Sequence, residues 1–573
     1  MPKTMKNTRP AHLFAAAALS ALAAASPAMA ADAGDDVMPS TLALLEAMVQ
    51  SGVIDIAQAQ EILQMAKARD AERAVKLTPP PVKETEKRVV YVPEIVKQEL
   101  RDEIKAEVMQ QAEAENWAAP NSHPEWTERI KFSGDLRGRY EGIYFPEGNP
   151  TGVTVDFNAI NQGNGAKLVA GSGYLLDYYT PEQNVDEDRQ RTRLRARIGM
   201  DADLGEGFAT NIRLATGSGN SPVSTNQSLG GSGGNFSKYE IWLDRAALHW
   251  DALKDKDKQV TVDMGRFDNP FFGTDLVWDG DLGFDGLNVS GTYDLSRKYK
   301  MKPFATVGAF PVYNTSFNLA SYQLEKTPSH DKWLLGAQAG SDWKPRKDLG
   351  VKFGAGYYHF NNIEGELSSP CADAADSSGA CDTDATRPSF AQKGNTYMAL
   401  RDLTPVTSLG TSDAYQYYGL ATPFRELALT GRADYTGLET LRVSLDGEVV
   451  KNLAFDKKEV AAKAVNNFDD AGEYDGGDLG YLMRLTVGSP KMEKRWDWNT
   501  SLAYKYVESD AVVDGFTDSD FGLGGTNLKG FILGGNLKLA RNVGAGLRWM
   551  SADNVGGVAY SVDIIQADVA AKF

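Results

Sequence analysis

The sequence predicts an all-β fold: an antiparallel transmembrane β-barrel of about 16 strands, preceded by a short α-helical segment. Three observations support this prediction. From residue 129 onward, apolar or small residues alternate with polar ones, which is the period of a β-strand. Short turns and long loops connect the alternating stretches in turn. The chain ends on such a stretch with an aromatic residue, Phe573, which is typical of outer-membrane barrels.

Residues 1–30 have the composition of a secretory signal peptide. Three basic residues precede an apolar run over 13–25, and Ala28-Met29-Ala30 has the small-x-small pattern of a cleavage site. The apolar run is shorter than the ~20 residues that a membrane-spanning helix needs. We therefore expect an exported protein that is not anchored by a helix.

The composition of the exported chain narrows the function classes. The whole chain has a formal net charge of −17, and removal of the three basic residues of the signal peptide leaves −20. Such an acidic protein is not expected to bind nucleic acid. The five histidines show no ligand spacing, so we expect neither a metal nor a cofactor. Cys371 and Cys381 are expected to form a disulfide in an oxidising compartment, rather than a metal pair.

Residues 31–128 differ in composition from the rest of the chain. An apolar stripe over 31–78 predicts a small helical hairpin, and Pro79-Pro80-Pro81 begins a stiff linker over 79–128. Within this linker, apolar residues spaced by four predict a helix from Pro93 to Glu115. Because that spacing drifts off a heptad seam, we favour a solvated spacer. The alternative is a short coiled coil that trimerises the barrel or contacts the peptidoglycan of the cell wall.

The predicted barrel covers residues 129–573, and its first strand lies near 130–144. The further strands are expected near 189–203, 207–217, 238–250, 259–268, 284–295, 300–313, 332–344, 348–362, 424–436, 440–455, 478–489, 494–508, 527–540, 542–551 and 562–573. The connections after odd-numbered strands are mostly long, and the others are mostly short. An even number of strands places both ends of the barrel on the periplasmic side, and the N-terminal segment with them.

The second predicted strand carries an arginine at every second position. We call these five residues the arginine ladder: Arg189, Arg191, Arg193, Arg195 and Arg197. Alternate side chains of a strand point to opposite faces, so the ladder occupies one face and Leu194, Ala196 and Ile198 the other. In an outer-membrane barrel the apolar face contacts lipid and the charged face lines a water-filled lumen. The ladder spans roughly 26 Å at ~3.3 Å per residue, close to the ~25 Å height of the apolar band.

Three more arginines have the same inward parity: Arg137 and Arg139 on the first strand, and Arg213 on the third. Guanidinium groups stay protonated and bind carboxylate or phosphate as a planar fork, so this row predicts a lumen that favours anions. The alternative is that facing acids neutralise the row, which we expect only in part. The candidate acids are Asp135, Glu141, Asp201 and Asp203.

One stretch and the general layout indicate a family. Residues Met264–Phe272 read MGRFDNPFF and continue through Leu276–Leu282 to Asp285-Gly286-Leu287. With the helical segment, the Pro-rich linker and the sixteen-strand pattern, this stretch resembles the putative porins of Gram-negative bacteria. The resemblance implies an outer-membrane channel without a defined catalytic set, and analogy with trimeric porins implies a homotrimer.

The third long connection, 269–283, is short and apolar for a loop. It contains Phe271, Phe272 and Trp278 together with Asp275, Asp279 and Asp281. In general trimeric porins the third outer loop folds into the barrel and narrows the pore, which would here place acids opposite the arginines. Packing over a neighbouring subunit and a tight surface turn are the alternatives.

The sequence therefore predicts a passive diffusion channel of the outer membrane for small hydrophilic solutes, with a preference for anions. The alternative is a structural anchor that links the barrel to the cell wall or a partner through the N-terminal helices. We do not expect an enzyme, because no nucleophile motif stands out and histidine is scarce.

Overall fold

The computed structural model describes residues 94–114, 125–150, 154–167, 180–231, 233–317, 328–370, 381–403 and 415–573. The predicted signal peptide and helical hairpin lie outside these residues. The chain divides into two units, residues 1–120 and 121–573, which are described separately. The described part of the first unit is helix α1, Glu94–Ala114, where the sequence predicts a helix over 93–115. Among the described residues, none of the helices has the length and hydropathy of a transmembrane helix.

The second unit is a closed antiparallel barrel of sixteen strands. In chain order they are β1 (Ile130–Tyr144), β2 (Arg189–Gly205), β3 (Phe208–Thr216), β4 (Ile241–Lys254), β5 (Lys258–Asp268), β6 (Gly283–Tyr293), β7 (Met301–Tyr313), β8 (Lys332–Arg346), β9 (Leu349–Asn361), β10 (Arg425–Tyr435), β11 (Arg442–Asn452), β12 (Leu479–Gly488), β13 (Trp498–Val507), β14 (Leu528–Ala540), β15 (Val543–Asn554) and β16 (Ser561–Lys572). Each strand pairs with its neighbours in sequence, and β1 pairs with β16, which closes the barrel. The predicted fold class and strand number are confirmed.

The connections between these strands contain short helices and short strands. The helices are α2 (Glu125–Arg129), α3 (Phe157–Gln162), α4 (Ser296–Tyr299) and α5 (Lys457–Lys463), and 3-10 helices cover Asp382–Thr386, Asp514–Phe516 and Phe521–Leu523. The two-residue strand Gln227–Ser228 pairs with β2, and Tyr397–Ala399 pairs with Tyr418–Leu420. Ala166–Lys167 pairs with Tyr415–Gln416. Connections after odd-numbered strands are mostly long and those after even-numbered strands mostly short, as the sequence predicts, but the connection after β15, residues 555–560, is short.

The strands are apolar on their outer face and polar or aromatic on their inner face. Leu335, Val449 and Met483 are 48%, 47% and 58% exposed, whereas Gln338 and Glu448 at alternate positions are 4% and 2% exposed. A soluble barrel would show the opposite arrangement. The apolar outer face is the one that contacts lipid in a membrane barrel.

The buried core of this unit lies among the long connections and the inner face of the barrel. Trp278, between β5 and β6, has its ring centroid 5.1 Å from Tyr358 on β9 and 6.5 Å from Phe516 in the connection after β13. Phe516 in turn stacks on Phe360 with centroids 5.9 Å apart. The connections after β5 and β13 therefore fold into the barrel and pack on each other.

Candidate functional site

The arginine ladder lies on the inner face of β2. Strand β1 pairs with it so that Arg137 lies opposite Arg195 and Arg139 lies opposite Arg193. Arg193 is 9% exposed, while Ile198 on the other face of the strand is 61% exposed. The charged and apolar residues that alternate along this strand therefore point to opposite faces, with the charged side chains inside the barrel and the apolar ones outside.

Two carboxylates lie close to the last two arginines of the ladder, Arg195 and Arg197. Asp135 on β1 lies 2.9 Å from Arg195 and 2.6 Å from Arg197. Asp281, which precedes β6, lies 3.7 Å from Arg195 and 3.5 Å from Arg197. Each of these two arginines thus faces one acid from the barrel wall and one from the connection after β5.

The two preceding arginines of the ladder, Arg191 and Arg193, share one acidic partner. Glu141 on β1 lies 2.5 Å from Arg191 and 3.6 Å from Arg193. Arg189 is exposed, and its Nη1 donates to the carbonyl of Asp188 at 3.1 Å. The sequence also nominates Asp201 and Asp203 as neutralising acids, but these accept hydrogen bonds from groups outside the ladder.

Arg139 belongs to a separate ion-pair cluster. It lies 2.7 Å from Asp568 on β16 and 3.0 Å from Asp520 in the connection after β13. Asp520 also pairs with Arg548 on β15. These guanidinium groups hold the pKa of the Asp520 carboxyl well below its usual range, against the opposing effect of burial.

Arg137 forms no ion pair with an acid among the described residues. Its Nη2 donates to the side-chain oxygen of Asn226, and its Nε is buried with no hydrogen-bond partner among the described residues. Nε of Arg193 is equally without a partner there, although its Nη2 donates to Ser224 Oγ at 3.3 Å. A buried donor without a partner is costly, so the guanidinium groups of Arg137 and Arg193 are incompletely satisfied by the described residues.

Arg213, the third-strand arginine, is fully paired. A register shift between β3 and β4 brings both Asp244 and Arg245 to the interior. Arg213 lies 2.5 Å from Asp244 and 3.0 Å from Asp268, and Arg245 lies 2.7 Å from each of the same two acids. The two arginines and two aspartates balance, so this cluster adds no positive charge to the lumen.

The connection 269–282 contacts inward side chains of strands on widely separated sides of the barrel. The backbone N–H of Phe272 donates to Gln338 Oε1 on β8 at 2.7 Å, and Thr274 Oγ1 donates to Glu448 on β11 at 2.7 Å. Its other end places Asp281 against the ladder on β2. Phe271 packs against the ring of Tyr358 on β9, with centroids 5.0 Å apart.

Two further aspartates of this connection have opposite electrostatic environments. Burial opposes ionisation of Asp275, but Arg484 at 2.7 Å and the nearby Lys505 hold its pKa below the usual value. Burial and the carboxylate of Asp518 raise the pKa of Asp279 to about 8. At neutral pH the connection therefore carries fewer negative charges than its sequence suggests.

Two cavities with charged side chains in their lining lie along β2, one at the ladder and one beyond it. A cavity of about 420 Å³ is lined by Arg191, Lys393 and Asp520 among others. A second cavity of about 550 Å³ is lined by Asp203 and His249 among others.

The sequence profile of the family described as "Putative porin" matches residues 39–573. The chain belongs to this family. No curated protein matches this porin at a significant level.

Solved structures similar to this porin come from several bacteria. OprB of Pseudomonas putida is 14% identical, with a TM-score of 0.40, over 80% of this chain and 100% of OprB. A loop L8 deletion mutant of OmpT of Vibrio cholerae is 11% identical, with a TM-score of 0.37, over 78% of this chain and 99% of OmpT. The outer membrane channel DcaP of Acinetobacter baumannii is 11% identical, with a TM-score of 0.30, over 78% of this chain and 97% of DcaP.

Sequence reasoning missed the second connection that enters the lumen of this porin, residues 508–527. It carries Asp518, which lies 3.4 Å from Lys505 on β13, and Asp520, described above. A signal was present, because this connection combines apolar residues with several aspartates, as 269–283 does. The same criterion applied to every long connection would have found it.

Cys381 precedes the 3-10 helix Asp382–Thr386 and is disulfide-bonded. Cys371, its predicted partner, lies outside the described residues. Within the described part of the chain, no group of three or more His, Cys, Asp or Glu side chains could hold a metal ion.

Proposed function

We propose that this porin is a passive diffusion channel for small hydrophilic solutes that prefers anions. One observation carries the proposal: around Arg191, Arg193, Arg195 and Arg197, the ladder arginines with acidic partners, seven guanidinium groups share five carboxylates. The arginines are Arg137, Arg139, Arg191, Arg193, Arg195, Arg197 and Arg548. The acids are Asp135, Glu141, Asp281, Asp520 and Asp568. The remaining positive charge lowers the energy of an anion in the lumen and raises that of a cation.

The two inserted connections, 269–282 and 508–527, would form the constriction of this channel. Both contribute acids to the wall that carries the arginines, through Asp281 and Asp520. A solute that passes the ladder would meet fixed charges of both signs at short range. Because a guanidinium group offers a planar fork of donors, solutes with a carboxylate or phosphate would interact most favourably.

The decisive experiment is the reversal potential of single channels in planar bilayers under a salt gradient at neutral pH. We expect the wild type to be anion-selective. A variant with all five ladder arginines changed to glutamine should lose that preference, because the paired acids then dominate the wall. Arg541→Gln is the matched control, because this exposed arginine lies in the turn between β14 and β15.

A cation-selective wild type, or an unchanged reversal potential in the five-arginine variant, would contradict the proposal. The even number of strands supports a periplasmic position for the N-terminal segment. The homotrimer and the contact of that segment with peptidoglycan stay predictions.

A further inference from the structure

An open depression lies on the outward face of the barrel, across strands β7 to β9. Its volume is about 470 Å³, and its apolar border includes Val307, Leu335, Ala337 and Tyr357. Three of these side chains are large and exposed: Val307 by 53%, Leu335 by 48% and Tyr357 by 41%. Ala337 is small, and its position between larger neighbours leaves the space open.

Two basic side chains border the same depression at the end of the barrel that carries the long connections. His359 on β9 and Arg425 on β10 are register partners, and both line the depression. Arg425 is exposed, and its guanidinium forms no ion pair or hydrogen bond within the described residues. His359 is half-buried: its Nδ1 is buried without a hydrogen-bond partner there, so Nε2 is the ring nitrogen that can face a ligand in the depression.

The lack of an acid beside Arg425 distinguishes it from a comparable cation. Lys451, on the same outward face near the same end of β11, lies 3.1 Å from Asp478. The residue after Arg425, Glu426, is buried on the inner face and 1% exposed. Among the described residues, no acid therefore compensates the positive charge of Arg425.

We propose that this depression binds an anionic lipid, with an acyl chain along Val307, Leu335 and Tyr357 and a phosphate on Arg425 and His359. In barrels of this class the long connections mark the extracellular side, so the lipid belongs to the outer leaflet. An exposed apolar surface favours an acyl chain, and a guanidinium group binds phosphate in bidentate geometry. The site is independent of the anion preference of the lumen.

The test uses the purified full-length porin in neutral detergent with bis-phosphorylated lipid A as the probe. Native mass spectrometry measures bound lipid, and the melting temperature measures protection. Arg425→Gln should weaken binding about tenfold or more, because it removes a charge-assisted contact with phosphate. Ala337→Leu should also weaken binding, since it fills the depression without changing the charge. Lys451→Gln is the matched control and should bind as the wild type does.

Three outcomes would overturn the assignment. Equal binding by the wild type, Arg425→Gln and Ala337→Leu would show that the depression is not the lipid site. Protection by inorganic phosphate equal to that by lipid A would indicate an anion site without an acyl chain. A change of oligomeric mass in Arg425→Gln and Ala337→Leu would instead identify this face as a contact between copies of the chain.

Discussion

At the scale of single residues, Asp279 links the two connections that enter the lumen. Its Oδ2 accepts a hydrogen bond from the backbone N–H of Ser519 at 3.0 Å, and its own N–H donates to the carbonyl of Phe516 at 2.8 Å. Burial, and next the carboxylate of Asp518, raise its pKa from 3.8 to about 8. The folded protein therefore retains a proton at this site at neutral pH.

This proton predicts how stability depends on pH. Between about pH 4 and pH 8 the folded state holds a proton that the unfolded chain has released, so the contribution of Asp279 to stability falls as the pH rises. We expect the melting temperature of Asp279→Asn to fall less steeply than that of the wild type from pH 5 to pH 8. Asp514, with a pKa of about 7, titrates in both proteins and serves as a common background. Parallel curves for the two proteins would show that Asp279 does not hold the proton.

At the scale of elements, the position of the connection 269–282 depends on a close approach to β8. A Cβ atom at Gly336 would overlap the ring of Phe271, whereas one at Gly138 on β1 would meet nothing within 4 Å. The absence of a side chain at Gly336 therefore gives Phe271 its place in the core. Trp278, with 4% exposure, holds the other half of the connection.

Gly336→Ala should displace Phe271 and loosen the connection. We expect a loss of stability of about 1–3 kcal/mol, the usual cost of overpacking a core, together with larger fluctuations of the single-channel current. Gly138→Ala is the matched control and should leave both quantities unchanged. Restoration of a steady current in the double variant Gly336→Ala/Phe271→Ala would confirm the steric cause, and a steady current in Gly336→Ala alone would refute it.

At the scale of the whole molecule, the barrel is closed by its own first and last strands. The backbone N–H groups of Gly134 and Phe573 each donate to the carbonyl of the other at 3.0 Å. The sixteen strands thus complete the sheet from residues of the second unit alone. The lumen-lining residues described above all belong to this second unit.

Deletion of residues 31–118 therefore distinguishes the channel from the structural anchor. We expect the shortened protein to keep the single-channel conductance and reversal potential of the wild type. The full chain and the shortened one should also be compared for co-sedimentation with peptidoglycan, which only an anchor through the N-terminal helices would require. Loss of conductance on deletion would show that the channel extends beyond the barrel.

The features of this molecule that the sequence predicts are those that follow a short repeat along the chain. Alternation along each strand predicts the positions of the sixteen strands and the common face of the ladder, because both follow from a repeat of two residues. Asp135 and Glu141 could be nominated as acids because they share that parity on a neighbouring strand. The pairing of Asp520 with Arg139 could not, because it joins residues 381 positions apart through a connection without a period.

The inserted connections also constrain the order in which the protein matures. Thr274 and Glu448 are separated by 174 positions, and Arg139 and Asp520 by 381. Contacts this remote in the chain are entropically costly and form late. We expect a newly assembled barrel to pass through a wide, poorly discriminating stage, so that discrimination between solutes is the last property that the protein acquires.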